Sequence, residues 1–251
     1  MSPDLVFTRV APPPFGPAPA MRSGGRRDKL VIGRHVPPAA VEQYRKLAGS
    51  LHHAQMQHGV RVVMLASTLA GEGKTLTATN LALTLSESYR RRVALIDADL
   101  RRPTIHDMFG LPNITGLNDV LAADANASCE IFDMSPFLSV LTAGRPNPNP
   151  IGGLTSERMR RVVAAAARDF EWVVIDTPPV GLLPDANLLA AMVDTVVLVV
   201  AAGRTPYRMV SRAVDALDRK RIFGVVLNRA ASEEVWGGYG GYYYDGYGAG
   251  R

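Results

Sequence analysis

The chain of 251 residues contains one cysteine, Cys129. A single thiol excludes an internal disulfide and a cysteine-built metal site, and a reducing cytoplasm is the simplest setting. Taken alone, Cys129 reads as a small packing residue. Long apolar runs are also missing. None approaches the roughly 18 to 20 residues that a membrane helix needs, and the opening MSPDLVFTRVAPPPFGPAP lacks a charged segment followed by an apolar one. If the protein works at a membrane, something else holds it there. No block of one charge stands out either. The formal net charge of +5 and the pI of about 9.5 arise from scattered arginines such as Arg90, Arg91, Arg92, Arg101 and Arg102. A solvated basic surface accounts for them as well as nucleic acid would, so no nucleic-acid partner is inferred.

What the chain does have is apolar content: at 47% hydrophobic and 20% charged it can build one core of roughly 200 residues. Residues 1–36 are rich in proline, glycine and arginine without periodicity and read as a disordered or extended leader. Residues 37–230 read as one catalytic domain, and 231–251 as a flexible tail. A helix is expected from Pro37 up to Gly59. Continuous apolar strands then alternate with helical spacing: VRVVMLAS, KTLTATNLALTLSESY, RVALIDAD, FLSVLTAG, a helix near 155–169, WVVIDTPP, a helix near 184–191, DTVVLVVAAG, a helix near 206–219 and IFGVVLNR. That rhythm predicts an α/β fold of three layers, a mainly parallel sheet with helices on both faces. Ligands bind such sheets at the carboxyl ends of the strands, where the unusual residues fall.

The first of these strands runs into ASTLAGEGKTLTATN. Gly71 and Gly73 let the backbone approach an anion, Glu72 lies between them, and Lys74, Thr75 and Leu76 open a helix whose free N–H groups favour phosphate. Lys74 would reach the β and γ phosphates of ATP and the Thr75 hydroxyl would ligate Mg²⁺. The strict phosphate-loop pattern wants glycine where this chain has Thr68. Two acidic strand ends follow, with Asp97 and Asp99 in VALIDADLRRP and Asp176 in WVVIDTPPV. One carboxylate after a strand is often a helix cap. Three converging beside a phosphate loop are better explained by Mg²⁺-nucleotide chemistry, since they would repel one another without a cation.

GEGKT, LIDADLRRP and VIDTPP resemble the Walker A, Walker A′ and Walker B segments of the bacterial tyrosine kinases of exopolysaccharide and capsule export, a branch of the deviant-Walker P-loop ATPases. TAGRPNPNP, GLLPDANLL and GVVLNR extend the likeness over about residues 37–251. The resemblance implies autophosphorylation of a C-terminal tyrosine cluster. It implies that Lys74 and Thr75 serve phosphate and magnesium, that Asp99 and Asp176 hold the metal largely through water, and that Asp97 is the base for the tyrosine hydroxyl. Asn228 matches a position that contacts adenine in related ATPases, or is a turn residue. Arg101 senses the γ phosphate or pairs with an acidic neighbour. The implied partners are other copies of the chain, a membrane polysaccharide co-polymerase and a tyrosine phosphatase, at the inner face of the cell membrane.

The sequence departs from the family's pattern in places. The E-x-x-R-x-x-R helix that mediates ring assembly has Glu42 and Arg45 but Ala48 as its last member, with Lys46 expected on a different helical face. Leu69 stands where partition and division-site ATPases carry lysine. His106 is expected to be structural, and His52 and His53 have no metal-binding partner at ligand spacing. The tail YGGYYYDGYG supplies Tyr239, Tyr242, Tyr243, Tyr244 and Tyr247. About twenty glycine-rich residues span roughly 25 Å, enough to present tyrosines to a neighbouring subunit. Three other readings stay open: a regulatory ATPase that switches without tyrosine transfer, a nucleotide-dependent scaffold with negligible turnover, and an aromatic tail that only binds a partner.

Overall fold

The computed structural model describes residues 5–13, 29–33, 36–123, 129–181 and 184–230. The helix expected before the first strand is α1 (Pro38–His58), started by a proline and stopped by Gly59 in the left-handed conformation. The apolar strands follow as β2 (Val62–Ser67), β3 (Val93–Asp97), β5 (Leu138–Leu141), β6 (Trp172–Asp176), β7 (Thr195–Ala201) and β8 (Ile222–Asn228). Between them come α2 (Lys74–Leu83), running into a π-helical turn at Thr84–Ser88, then α3 (Ile105–Phe109), α4 (Leu117–Ala122), α5 (Ile151–Leu154), α6 (Glu157–Asp169), α7 (Asp185–Ala190) and α8 (Tyr207–Ala216).

Two strands escape the sequence reading, β1 (Phe7–Val10) and β4 (Cys129–Asp133). The eight strands form one sheet in the order β1-β4-β5-β3-β6-β2-β7-β8. Every neighbouring pair is parallel except β4 with β5, so β1 and β4 run against the rest. Side chains alternate through the sheet. Val63, Leu65, Val93 and Leu95 pack under α1, α2 and α3, whereas Met64, Ala66, Ala94 and Ile96 pack under α4 to α8. Continuous valine and isoleucine runs follow from burial on both faces.

The expected leader therefore needs correcting within its described part. Phe7 is buried edge to face against Phe170, and the Arg9 guanidinium pairs with Asp133 and lies 5.0 Å over the Phe170 ring. Farther on, the Asn80 side chain accepts from the Val31 N–H and donates to the Lys29 carbonyl, which seats Leu30 in the core. Phe7 and Leu30 are the buried apolar anchors of these segments, single residues that the composition of the whole segment hides. The tail, with all five expected phosphoacceptor tyrosines, lies outside the described residues, as do Leu182 and Leu183 of GLLPDANLL.

Candidate nucleotide site

The parallel strands end on one side of the sheet, and the residues singled out from sequence gather there. β2 ends at Ser67 and gives way to a loop in which Gly71 (φ 81°) and Gly73 (φ 94°) take left-handed backbone. α2 begins at Lys74, so its first N–H groups open toward the loop. Glycine at 73 is demanded twice, by its φ and because an added Cβ would stand 2.0 Å from Asn228 Nδ2. The missing glycine at 68 has a physical account. Thr68 is not among the residues with positive φ, and the room is supplied across the site by Gly181, whose Cβ would lie 2.7 Å from the Thr68 carbonyl oxygen.

Lys74 is 6% exposed, and its Nζ donates to Asp176 Oδ1 at 2.5 Å and to Thr75 Oγ1 at 3.4 Å. Asp176 is fully buried, and its Oδ2 has no hydrogen-bond partner. Asp97 stands directly across the β3–β6 ladder from Asp176. Burial first, and the Asp176 charge second, push the Asp97 carboxyl up to about 7. Its oxygens accept from the N–H groups of Asp99, Thr104 and Ile105. Asp99 is less enclosed, and desolvation followed by the Asp176 charge moves it upward as well.

The fit to Mg²⁺ and a nucleoside triphosphate can be judged on these atoms. Asp176 has an orphaned buried oxygen, which in a native site needs a ligand or a water to complete it. Three carboxylates crowd one ammonium, so added positive charge relieves them. Among the described residues no three His, Cys, Asp or Glu side chains form a ready-made metal cage. That suits an ion that keeps most of its waters and uses one or two carboxylates with substrate phosphates. The residues fit.

Several expected side chains do something else. Glu72 is 3% exposed and turns into the protein, where Oε2 accepts from Leu69 N–H at 2.7 Å and Oε1 from Ala201 N–H and the Thr205 hydroxyl. Its carboxylate ties the phosphate loop to the end of β7. Leu76 packs on the core beneath α2. Arg101 is engaged by Asp185 (Nε to Oδ2, 2.8 Å) and by the Pro148 carbonyl, so of its two readings the structure shows the acidic pairing. Asn228 supports the loop, donating from Nδ2 to the Glu72 carbonyl at 2.7 Å. Sequence reasoning missed Asp185, Gly181, Thr205 and Arg229, whose guanidinium donates to the Gly71 carbonyl at 2.5 Å. Gly181 and Asp185 within GLLPDANLL and Arg229 within GVVLNR carried a signal only through their place in the resemblance, and Thr205 carried none.

Other expectations can be placed too. Ala48 is fully buried, and Arg45 pairs with Glu42 at 3.4 Å on the surface. Lys46 is exposed and lines an open cleft with Glu42, Arg45, Gly49 and Tyr89, on a different helical face from the buried Ala48. Burial pushes the Cys129 thiol up to about 12, an unreactive packing residue. No described helix is long and apolar enough to cross a membrane.

Fold and site together define a P-loop nucleotide-binding domain, and residues 63–235 match the CobQ/CobB/MinD/ParA nucleotide binding domain family. Tyrosine-protein kinase YwqD of Bacillus subtilis is 33% identical over 223 residues, covering 86% of this chain and 94% of its own. The match to tyrosine-protein kinase wzc of Salmonella typhi, also 33% identical, covers 80% of this chain but 29% of that much longer protein. Among solved structures, the kinase domain of Escherichia coli tyrosine kinase ETK superposes with a TM-score of 0.69 at 32% identity, covering 77% of this chain and 78% of that one. The chain belongs to the bacterial tyrosine-protein kinases of this nucleotide-binding family.

Proposed function

We propose that the protein is an ATP-dependent protein-tyrosine autokinase that phosphorylates its own tail at Tyr239, Tyr242, Tyr243, Tyr244 and Tyr247. The observation that carries the reading is the junction of Lys74 with Asp176 and Asp97 at the mouth of a glycine-hinged helix N-terminus. Phosphoryl transfer asks a protein mainly for positioning and charge neutralisation. The phosphate loop N–H groups and Lys74 would bind the β and γ phosphates. Thr75, Asp99 and Asp176 would hold Mg²⁺ largely through water, and the ion supplies charge neutralisation on those phosphates. The tyrosine oxygen bonds to the γ phosphorus, the bond to the β–γ bridging oxygen breaks, ADP leaves, and the hydroxyl proton passes to Asp97. A carboxyl raised to about 7 is a competent base near neutrality. Asp97 is fully buried and hydrogen-bonded to residues 104 and 105, so this role requires that segment to move when tyrosine enters.

By the same reading Asn228 lies beside the base of the nucleotide. The setting is the cytoplasmic face of a membrane, reached through a polysaccharide co-polymerase, with a tyrosine phosphatase resetting the tail. Intact-mass spectrometry after phosphatase and then Mg-ATP tests the proposal. A ladder of phosphates mapping to residues 239–247 and absent in Lys74→Met is expected. A ladder that persists in Lys74→Met would sink it. ATP consumption without phosphotyrosine, with the membrane partner's cytoplasmic peptide present, would instead indicate the switch ATPase.

A further inference from the structure

β8 is the last strand of the sheet, and among the described residues no strand pairs with its outer flank. Val225 and Leu227 pair with Leu198 and Val200, so they lie on the α8 side of the sheet; Phe223 precedes them at a register shift, between Ile222 opposite Val196 and Gly224 opposite Val197. All three are exposed, at 38% for Phe223, 49% for Val225 and 66% for Leu227. Three exposed apolar side chains along an edge strand are a surface that soluble proteins usually cover.

The chain itself points to what covers it. β8 ends at Asn228, and Arg229 takes left-handed backbone (φ 61°), its N–H donating to Asn228 Oδ1 and its guanidinium to the Gly71 carbonyl. The chain thus turns at the tip of this edge strand, and residues 231–251 continue from there. Residues 235–244, VWGGYGGYYY, carry no charged side chain. Trp236 is nine positions beyond Leu227, a flexible reach of about 16 Å. The face from Phe223 to Leu227 is about 13 Å long. Such a short tether gives an effective concentration in the millimolar range, far above that of a second copy in dilute solution.

We infer that the tail docks on its own subunit, Trp236 covering the Phe223–Val225–Leu227 face with the following tyrosines beside it. The indole supplies apolar area and keeps one polar edge in water. Docked this way, the tail runs back along β8 and away from Gly71, so the tyrosines are stored off their own phosphate loop. That last consequence rests on the kinase reading; the docking does not.

Fluorescence of the phosphatase-treated full chain, without nucleotide, tests it. The chain has two tryptophans and Trp172 is fully buried, so subtracting a Trp236→Phe protein isolates Trp236. The expected result is a blue-shifted Trp236 emission and an acrylamide-quenching slope several-fold below that of a synthetic 231–251 peptide, unchanged on dilution. V225D and L227D, at exposed positions, should raise the slope to the peptide's value with the circular dichroism unaltered. A wild-type slope equal to the peptide's overturns the inference, and so does protection that survives both substitutions. Protection lost on dilution overturns it too, assigning the face to a second copy.

Discussion

Asp97 is a carboxylate without water around it, facing a second carboxylate across a strand pair. Because its folded value of about 7 lies above the ordinary 3.8, the native state holds the proton more tightly than the unfolded state between those limits. The stability this group contributes is therefore fully present below about pH 4, falls as pH rises toward 7 and is flat above. Asp97→Asn removes the charge and sacrifices at least one of the three amide hydrogen bonds to the side chain, each worth about 1 kcal/mol. It should melt a few degrees higher than wild type at pH 8, with little or no gain at pH 4.5, while losing tyrosine transfer. A melting difference independent of pH would contradict the assignment. The residue types at the site were legible in the sequence, because glycine, lysine, threonine and aspartate at those spacings suit phosphate and magnesium. Their partners were not. Glu72 turning inward, Lys74 on Asp176 and Arg101 on Asp185 depend on segments 84 to 133 residues apart meeting in the fold.

At the level of elements, strands buried on both faces were readable as apolar runs, and α1 was bounded correctly by proline and glycine. β1 and β4 were not readable, being short and away from the central run of the sheet, with their stabilisation supplied by neighbours distant in sequence. Phe7→Ala tests β1 directly. Losing a buried phenylalanine at the rim should cost about 2–4 kcal/mol, seen as a melting temperature lower by roughly 5–10 °C for a chain of this size. An unstructured leader would show no change. α1 offers a second check. Ala48 is fully enclosed with Leu51 and Ala54, so Ala48→Arg forces a guanidinium into apolar surroundings. It should lower the melting temperature by an amount equivalent to about 3 kcal/mol or more and create no larger assembly by light scattering. Restoring the family's motif on paper thus damages the helix that carries it.

For the whole molecule, charge is the quantity that phosphorylation changes most. Five phosphotyrosines would add about −8 to −10 charges to a formal +5, reversing the sign of the protein. The phosphorylated form is expected to elute as a smaller species than its phosphatase-treated counterpart. Equal elution volumes at low salt would count against charge-driven disassembly. The sheet order has a further consequence, for the time at which the molecule becomes complete. Among the described residues β1 pairs only with β4, and the Arg9–Asp133 pair spans 124 residues. At 5–20 residues per second, the ribosome takes roughly 6–25 s to make that partner. Throughout that interval the first strand of the chain, with Phe7, has nowhere to go. A nascent-chain chaperone that grips short aromatic segments would find it waiting, and would have to release it before the sheet could close its far edge.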